Sequence, residues 1–243
     1  MDQEWQKFLV NEMSKTYMEN LINHIKQDRL TKNVFPAPDK VFEAFNLCPY
    51  YNTCVVIFDF APDPRPNTNH GLAYSSLLPR DQRLPQLDRI FAEASRRPPH
   101  EREEFYPHNN LSYWAKQGIL LLNVLGTCIE NDRYAHAKIG WTEFIKNVVE
   151  FLNNHPNRLV FMLWSDQIIN LVKPLVNQNR HLVLESGHPA LELKDWVYNF
   201  HFVQATLFSI YESRREPGED PRRIRDTEDL PINQCGPRID WII

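Results

Sequence analysis

The fold class this sequence predicts is a three-layer α/β/α arrangement around a central, mostly parallel four-stranded sheet. Two observations predict it. Four short apolar runs are continuous rather than alternating: Cys54-Val55-Val56-Ile57-Phe58, Ile119-Leu120-Leu121-Leu122, Leu159-Val160-Phe161-Met162-Leu163 and His181-Leu182-Val183-Leu184. Continuous runs of this length suit strands buried on both faces of a parallel sheet. Segments with helical spacing lie among them, at Leu87 to Ser95, Gly140 to Asn153 and Ser165 to Val176. Strands alternating with helices build open, mostly parallel sheets.

The elements follow in order. From Glu4 to about Leu30, the apolar residues Trp5, Phe8, Leu9, Met13, Tyr17, Leu21, Ile22 and Ile25 recur every three or four positions, which predicts an amphipathic helix or a helix pair. Phe35-Pro36-Ala37-Pro38 ends that segment, because proline supplies no amide donor to a continuing helix. A short helix is expected around Val41 to Phe45, and the first strand run then stops at a Pro-rich loop. The stretches near 96–107 and 211–237 mix charge with proline and read as surface elaborations of a single domain spanning 1–243.

Composition bounds the function. The 243 residues are 42% hydrophobic and 12% aromatic, enough for a sizeable core. A net charge of −4 gives no global basic footprint, although a local basic cleft can still bind DNA. Cys48, Cys54, Cys128 and Cys235 form no CxxC pair, so reduced thiols in an intracellular protein are expected rather than disulfides or a zinc site. The amino terminus has no signal-peptide core, and no apolar run approaches the ~18 residues of a membrane span. The histidines form no HExxH, and the seven glycines form no GxGxxG or GxxxxGK[ST]. No metal and no nucleotide cofactor are therefore expected.

In open parallel sheets, ligands bind beyond the carboxyl ends of the strands. That rule selects loops 59–76, 123–128, 164–167 and 185–193. The first of these belongs to VVIFDFAPDPRPNTNHGLAYSS, and further along come LSYWAKQGILLLNVLGT, AHAKIGWTEF, LVFMLWSD, HLVLESGHPALEL, FHF and the closing Ile239-Asp240-Trp241. In that order and at compatible spacing, these segments resemble the uracil-DNA glycosylase family from Trp5 to Trp241. The first resembles the family's strand-GQDPYHG…HGLxFS segment, the second its WAxQGVLLLN.

The resemblance implies DNA as partner, a flipped pyrimidine as substrate, and hydrolysis of its N-glycosidic bond. Asn123 stands where the family reads the base edge, and an amide can pair bidentately with a pyrimidine. His188, in Gly187-His188-Pro189, matches the histidine that donates to the base O2. Tyr74 replaces the aromatic that stacks on the flipped base. Phe60, Ala61 and Pro62 fall in the loop that lines the pocket, and Ser165, Pro189 and Leu191 fall in loops that meet DNA.

The departures are as informative. Asp59 stands at the family's Gly, Phe60 at its Gln, and Ala61 at its catalytic Asp. Asp63 stands at the Tyr facing the base C5, and Pro64 at its His. Glu192 replaces the wedge Leu, and Ser165-Asp166 replaces the phosphate-gripping Gly-Ser. The acids Asp166 and Glu192 are adverse to a phosphate backbone. Two expectations stay open. One is a glycosylase of altered specificity, acting on a 5-modified pyrimidine in the processing of, or defence against, modified DNA. Its catalytic groups would be His188 with Asp59 or Asp63, since residues two apart share a face of an extended segment. The other is a catalytically inactive glycosylase fold that binds DNA or a protein partner, as in a viral replication assembly.

Overall fold

The computed structural model describes residues 1–95, 106–190, 196, 200–214 and 239–241. Most of both expected elaborations, 96–107 and 211–237, lies outside the described residues, as do Leu191 and Glu192. The amino-terminal segment is a helix pair, α1 (Gln3–Met13) and α2 (Thr16–Thr31). The Asp2 carboxylate caps α1, accepting from the amides of Glu4 at 2.9 Å and Trp5 at 3.0 Å. These are donors that the first turn of a helix leaves unpaired. Trp5 is fully buried, and its indole N–H donates to the Cys48 carbonyl at 2.9 Å. The helix pair is thereby fastened to the chain that enters the sheet.

In chain order there follow β1 (Val34–Phe35), α3 (Glu43–Leu47), β2 (Val55–Asp59), α4 (Pro85–Ser95), α5 (Ser112–Lys116) and β3 (Ile119–Asn123). After them come β4 (Cys128–Ile129), α6 (Trp141–Asn153), β5 (Val160–Trp164), α7 (Asp166–Val172), β6 (Leu182–Ser186) and α8 (His201–Arg214). The four apolar runs of the sequence form the four-stranded sheet, in the order β3-β2-β5-β6, with every neighbouring pair parallel. All residues of β2 and β5 are buried. Successive strand side chains point to opposite faces, so helices must cover both faces of the sheet, as in a three-layer fold. β6, at one edge, is only partly buried. β1 and β4 pair antiparallel in a small second sheet, which the sequence did not announce because two-residue strands carry no readable periodicity.

The turn into β3 depends on one glycine. Gly118 has φ +98°, and a Cβ there would lie 2.0 Å from the Asn52 carbonyl oxygen. Its own carbonyl accepts from the Cys54 amide at 2.9 Å, joining the starts of β2 and β3. Gly118→Ala is expected to destabilise the fold by roughly 2–4 kcal/mol, read as a lowered urea midpoint. An unchanged midpoint would refute the close approach.

Three buried histidines make stability depend on pH. Burial lowers the pKa of His70, His181 and His201 from 6.5 to about 4 each. The neutral rings have fixed partners. His70 Nε2 meets the Ser75 hydroxyl at 2.6 Å, and Nδ1 of His181 and His201 accept from the Leu159 amide and the Trp164 indole, each at 3.0 Å. Between pH 6.5 and about 4 the unfolded chain binds protons that the folded chain refuses. Stability is therefore fully present above pH 6.5 and should fall as pH drops through this window. Urea midpoints that stay constant from pH 7 to 4.5 would contradict it.

Among the described residues, no helix is long and apolar enough to cross a membrane, and no cluster of three or more His, Cys, Asp or Glu could hold a metal ion.

Candidate active site

The carboxyl ends of β2, β3, β5 and β6 bring the candidate residues towards one another. Asp59 ends β2 and Asn123 ends β3, and the two are register partners. Trp164 and Ser186, at the ends of β5 and β6, are partners in the same way. His188 follows two residues beyond β6.

His188 and Asp59 face each other, with Nε2 3.8 Å from Oδ1. The tautomer is set by the backbone, because the Ala190 amide donates to Nδ1 at 3.0 Å. With Nδ1 used as an acceptor, the neutral ring carries its proton on Nε2, on the side of Asp59. The loop that holds the ring is itself held, since Arg89 of α4 donates to the Pro189 carbonyl at 3.1 Å.

Asp59 is nearly buried at the end of an otherwise apolar strand, and it meets a cation there. Arg133 donates from Nη2 to Oδ2 at 2.8 Å, while Oδ1 accepts from the Phe60 amide at 2.7 Å. The same guanidinium donates from Nε to the Ala61 carbonyl at 3.0 Å. Burial is the largest single influence and by itself would lower the Arg133 pKa, but Asp59, Tyr134, Tyr74 and Asp63 together outweigh it and the net shift is upward. Ala61 and Pro62 are buried, and the Phe60 ring packs against Tyr134 with centroids 5.7 Å apart. The end of β2 and the first two loop positions, 59 to 61, are thus gripped by two consecutive residues.

Asp63 does not join this group. Its carboxylate accepts from Arg65 at both oxygens, from Nε at 2.9 Å and Nη2 at 2.8 Å. Partial burial pushes its carboxyl up, but the Arg65 hydrogen bonds prevail and hold it below the ordinary value. Asp59 and Asp63 therefore serve different cations, and Asp59 is the one beside His188.

Tyr74 lies beneath His188, with ring centroids 6.1 Å apart, and 5.4 Å from the Trp164 ring. Its backbone is in the left-handed region, φ +60°, a conformation uncommon outside Gly, Asn and Asp. Its hydroxyl donates to the Phe58 carbonyl at 3.3 Å, and burial raises its pKa well above the ordinary value, so the phenol stays neutral. The Asn123 Oδ1 is buried with no hydrogen-bond partner. A buried acceptor left unpaired costs about 1–3 kcal/mol, so this oxygen is suited to an N–H donor brought by a ligand.

The residues expected to meet DNA divide. Ser165 precedes α7, and its hydroxyl accepts from the Ile168 amide at 3.3 Å, a capping role. Pro189 is buried behind His188, and Leu191 lies outside the described residues. Arg133 and Tyr134 are the residues that sequence reasoning missed. They stand just before AHAKIGWTEF, in a short segment that showed no motif. The signal available was Asp59 itself, since a carboxylate ending a buried strand requires a partner.

The parallel sheet thus ends in an amide on β3 and a carboxylate on β2, with a histidine two residues beyond β6 and a buried aromatic beside that histidine. The solved structure of mimivirus uracil-DNA glycosylase superposes with a TM-score of 0.72 at 21% identity, over 88% of this chain and 84% of that one. In sequence, the chain is 37% identical over 188 residues to the uracil-DNA glycosylase of Psychromonas ingrahamii, covering 76% of this chain and 85% of the relative. It is 34% identical over 191 residues to uracil-DNA glycosylase 1 of Listeria monocytogenes, at 78% and 84% coverage. It is 34% identical over 222 residues to the enzyme named uracil-DNA glycosylase in Borrelia hermsii, at 89% and 96% coverage. No protein-family model matches the chain. The chain belongs to the uracil-DNA glycosylase family.

Proposed function

We propose that this protein is a DNA glycosylase that hydrolyses the N-glycosidic bond of a pyrimidine nucleotide turned out of the DNA stack. The observation that carries the reading is the meeting of His188 Nε2 with Asp59 Oδ1, 3.8 Å apart, with Asn123 the register partner of Asp59 and the Tyr74 ring 6.1 Å from that of His188. In the reaction the C1′–N1 bond breaks, and its electron pair leaves with the base. The Nε2 proton of His188 hydrogen-bonds the base O2, where negative charge develops, while the Asp59 carboxylate faces the cationic sugar. Water then adds to C1′ and gives up a proton, which Asp59 accepts. Donors and charges aimed at developing charge usually contribute more to catalysis than any other effect. Asn123 reads the base edge through its unpartnered oxygen, and Tyr74 takes the stacking position.

The base we propose is a 5-modified pyrimidine, which places the protein in the processing of modified DNA or in defence against it. In this reading the family's aromatic beside C5 is absent, and Asp63 in its place is drawn away to Arg65. The change acts through lost bulk, with no hydrogen bond from Asp63 required. The test is alkaline strand cleavage of single- and double-stranded oligonucleotides. Each carries one uracil, thymine, 5-hydroxymethyluracil, 5-hydroxymethylcytosine or glucosylated 5-hydroxymethylcytosine. Cleavage at a 5-substituted base, lost in His188→Ala, is the expected result; cleavage at uracil alone would remove the specificity claim and keep the activity.

A second reading rests on a different contact. Arg133 neutralises Asp59 at 2.8 Å, and Ala61 has no side chain with which to activate water. A protein that binds DNA or a protein partner without turnover needs no free carboxylate. Absence of cleavage at every base, with retained affinity for the same oligonucleotides, would favour that reading.

A further inference from the structure

We propose that Arg133 is the positioning residue of this site, holding the Asp59 carboxylate in the orientation that turns one oxygen towards His188 and the sugar. This inference rests on the proposed glycosylase reading and adds to it a residue that none of the matching motifs contains.

A carboxylate at the end of a strand can rotate about its side-chain bonds, and its two oxygens are equivalent until partners distinguish them. Here Arg133 takes Oδ2 at 2.8 Å. Oδ1 is left with the Phe60 amide at 2.7 Å and with His188 Nε2 at 3.8 Å. The Arg133 Nε–H goes to the Ala61 carbonyl at 3.0 Å, so the fork of the guanidinium spans the strand end and the loop. That fork is planar, and its donors are fixed relative to one another. Fixing two acceptors with it fixes the angle between Asp59 and the loop backbone. Tyr134 adds to the grip by packing on Phe60 at 5.7 Å.

Ala61 stands where the family keeps its carboxylate, and the structure compensates with a carboxylate two residues earlier. Such a replacement works only if the displaced group is aimed, because Asp59 is a strand residue with no loop to adjust it. The side chain of Arg133 is 28% exposed and that of Asp59 8%, so water competes little for the bond between them.

The test does not depend on knowing the base. A single-stranded oligonucleotide carrying a cationic pyrrolidine in place of one deoxyribose mimics the charged sugar. The same strand with neutral tetrahydrofuran at that position is the reference. The readout is the ratio of the two dissociation constants by fluorescence anisotropy. We expect wild type to prefer the cationic strand by about tenfold or more, since mimics of the transition state bind more tightly than ground-state analogues. Asp59→Asn should bring the ratio close to one. Arg133→Met should lower it by about fivefold, and Arg133→Lys, which keeps the charge but loses the fork, should fall between.

An Arg133→Met ratio equal to or above that of wild type would overturn the role, since a mere counter-ion would release Asp59 to bind the cation more strongly. Should Arg133→Met fail to fold, the Arg133→Lys ratio decides, and a wild-type value there likewise overturns it. A wild-type ratio of one would overturn both the role of Arg133 and that of Asp59. Failure of the cleavage screen with the cationic preference intact would instead remove the glycosylase reading and leave the aiming of Asp59 standing.

Discussion

Replacing His188 by Ala is expected to slow base release by about 10²–10³-fold, the usual cost of removing one donor from a site of developing negative charge. The expectation follows from how the ring is held. The Ala190 amide occupies Nδ1 at 3.0 Å, which leaves Nε2–H as the donor facing the site. The Nε and Nη2 donors of the nearby Arg133 are already engaged with Ala61 and Asp59. The measurement is single-turnover cleavage of the oligonucleotide that wild type cleaves, with thermal melting as a folding control. A loss of twofold or less from a folded variant would show that the base O2 finds its donor elsewhere, and the assignment of His188 would fall.

Trp164→Ala should cause the largest loss of stability, about 3–5 kcal/mol for truncating a buried tryptophan. Trp164 is fully buried at the end of β5. Its indole N–H donates to His201 Nδ1 at 3.0 Å, and its ring meets Trp196 edge-on at 4.8 Å. The truncation opens a cavity and leaves the His201 nitrogen without this donor. Phe202, on the same helix as His201, packs on the Trp164 ring at 5.9 Å, so α8 should loosen as well. Urea unfolding measures the effect. Trp164→Phe, which keeps most of the volume but not the donor, should recover more than half of it. A loss below about 1 kcal/mol in Trp164→Ala would mean that the neighbouring rings close over the space.

The two experiments address different parts of one arrangement. Trp164 supports Tyr74 from below at 5.4 Å, and Tyr74 in turn lies 6.1 Å from His188. A variant that loosens the first contact can therefore slow the chemistry without touching the substrate. The melting control separates that indirect route from the direct loss expected of His188→Ala.

Much of the fold was legible because its signals are local. Each of the four apolar runs became a strand, displaced by a residue or two, since a run buried on both faces carries its own evidence in consecutive residues. The helix pair at the amino terminus was readable from its spacing, and only its break at Ser14-Lys15 needed the structure. β1 and β4 were not readable, because each exists only through its pairing with the other.

The sequence by itself determined the order of strands and helices, the family resemblance, and the chemical types available at the strand ends: Asn123, His188, Tyr74, and acids where a neutral Gly and an aromatic Tyr usually stand. Those follow from residue identity and from spacing along one chain. Which acid meets His188 was decided only by the tertiary structure. Asp59 and Asp63 lie four positions apart with similar prospects in sequence, yet one is claimed by Arg133 and the other by Arg65. Arg65 is two residues from its partner, whereas Arg133 arrives from 74 residues away. The orientation of a carboxylate depends on where its cations stand in space, and for Asp59 that cation is placed by the packing of the segment after β4 against the loop after β2.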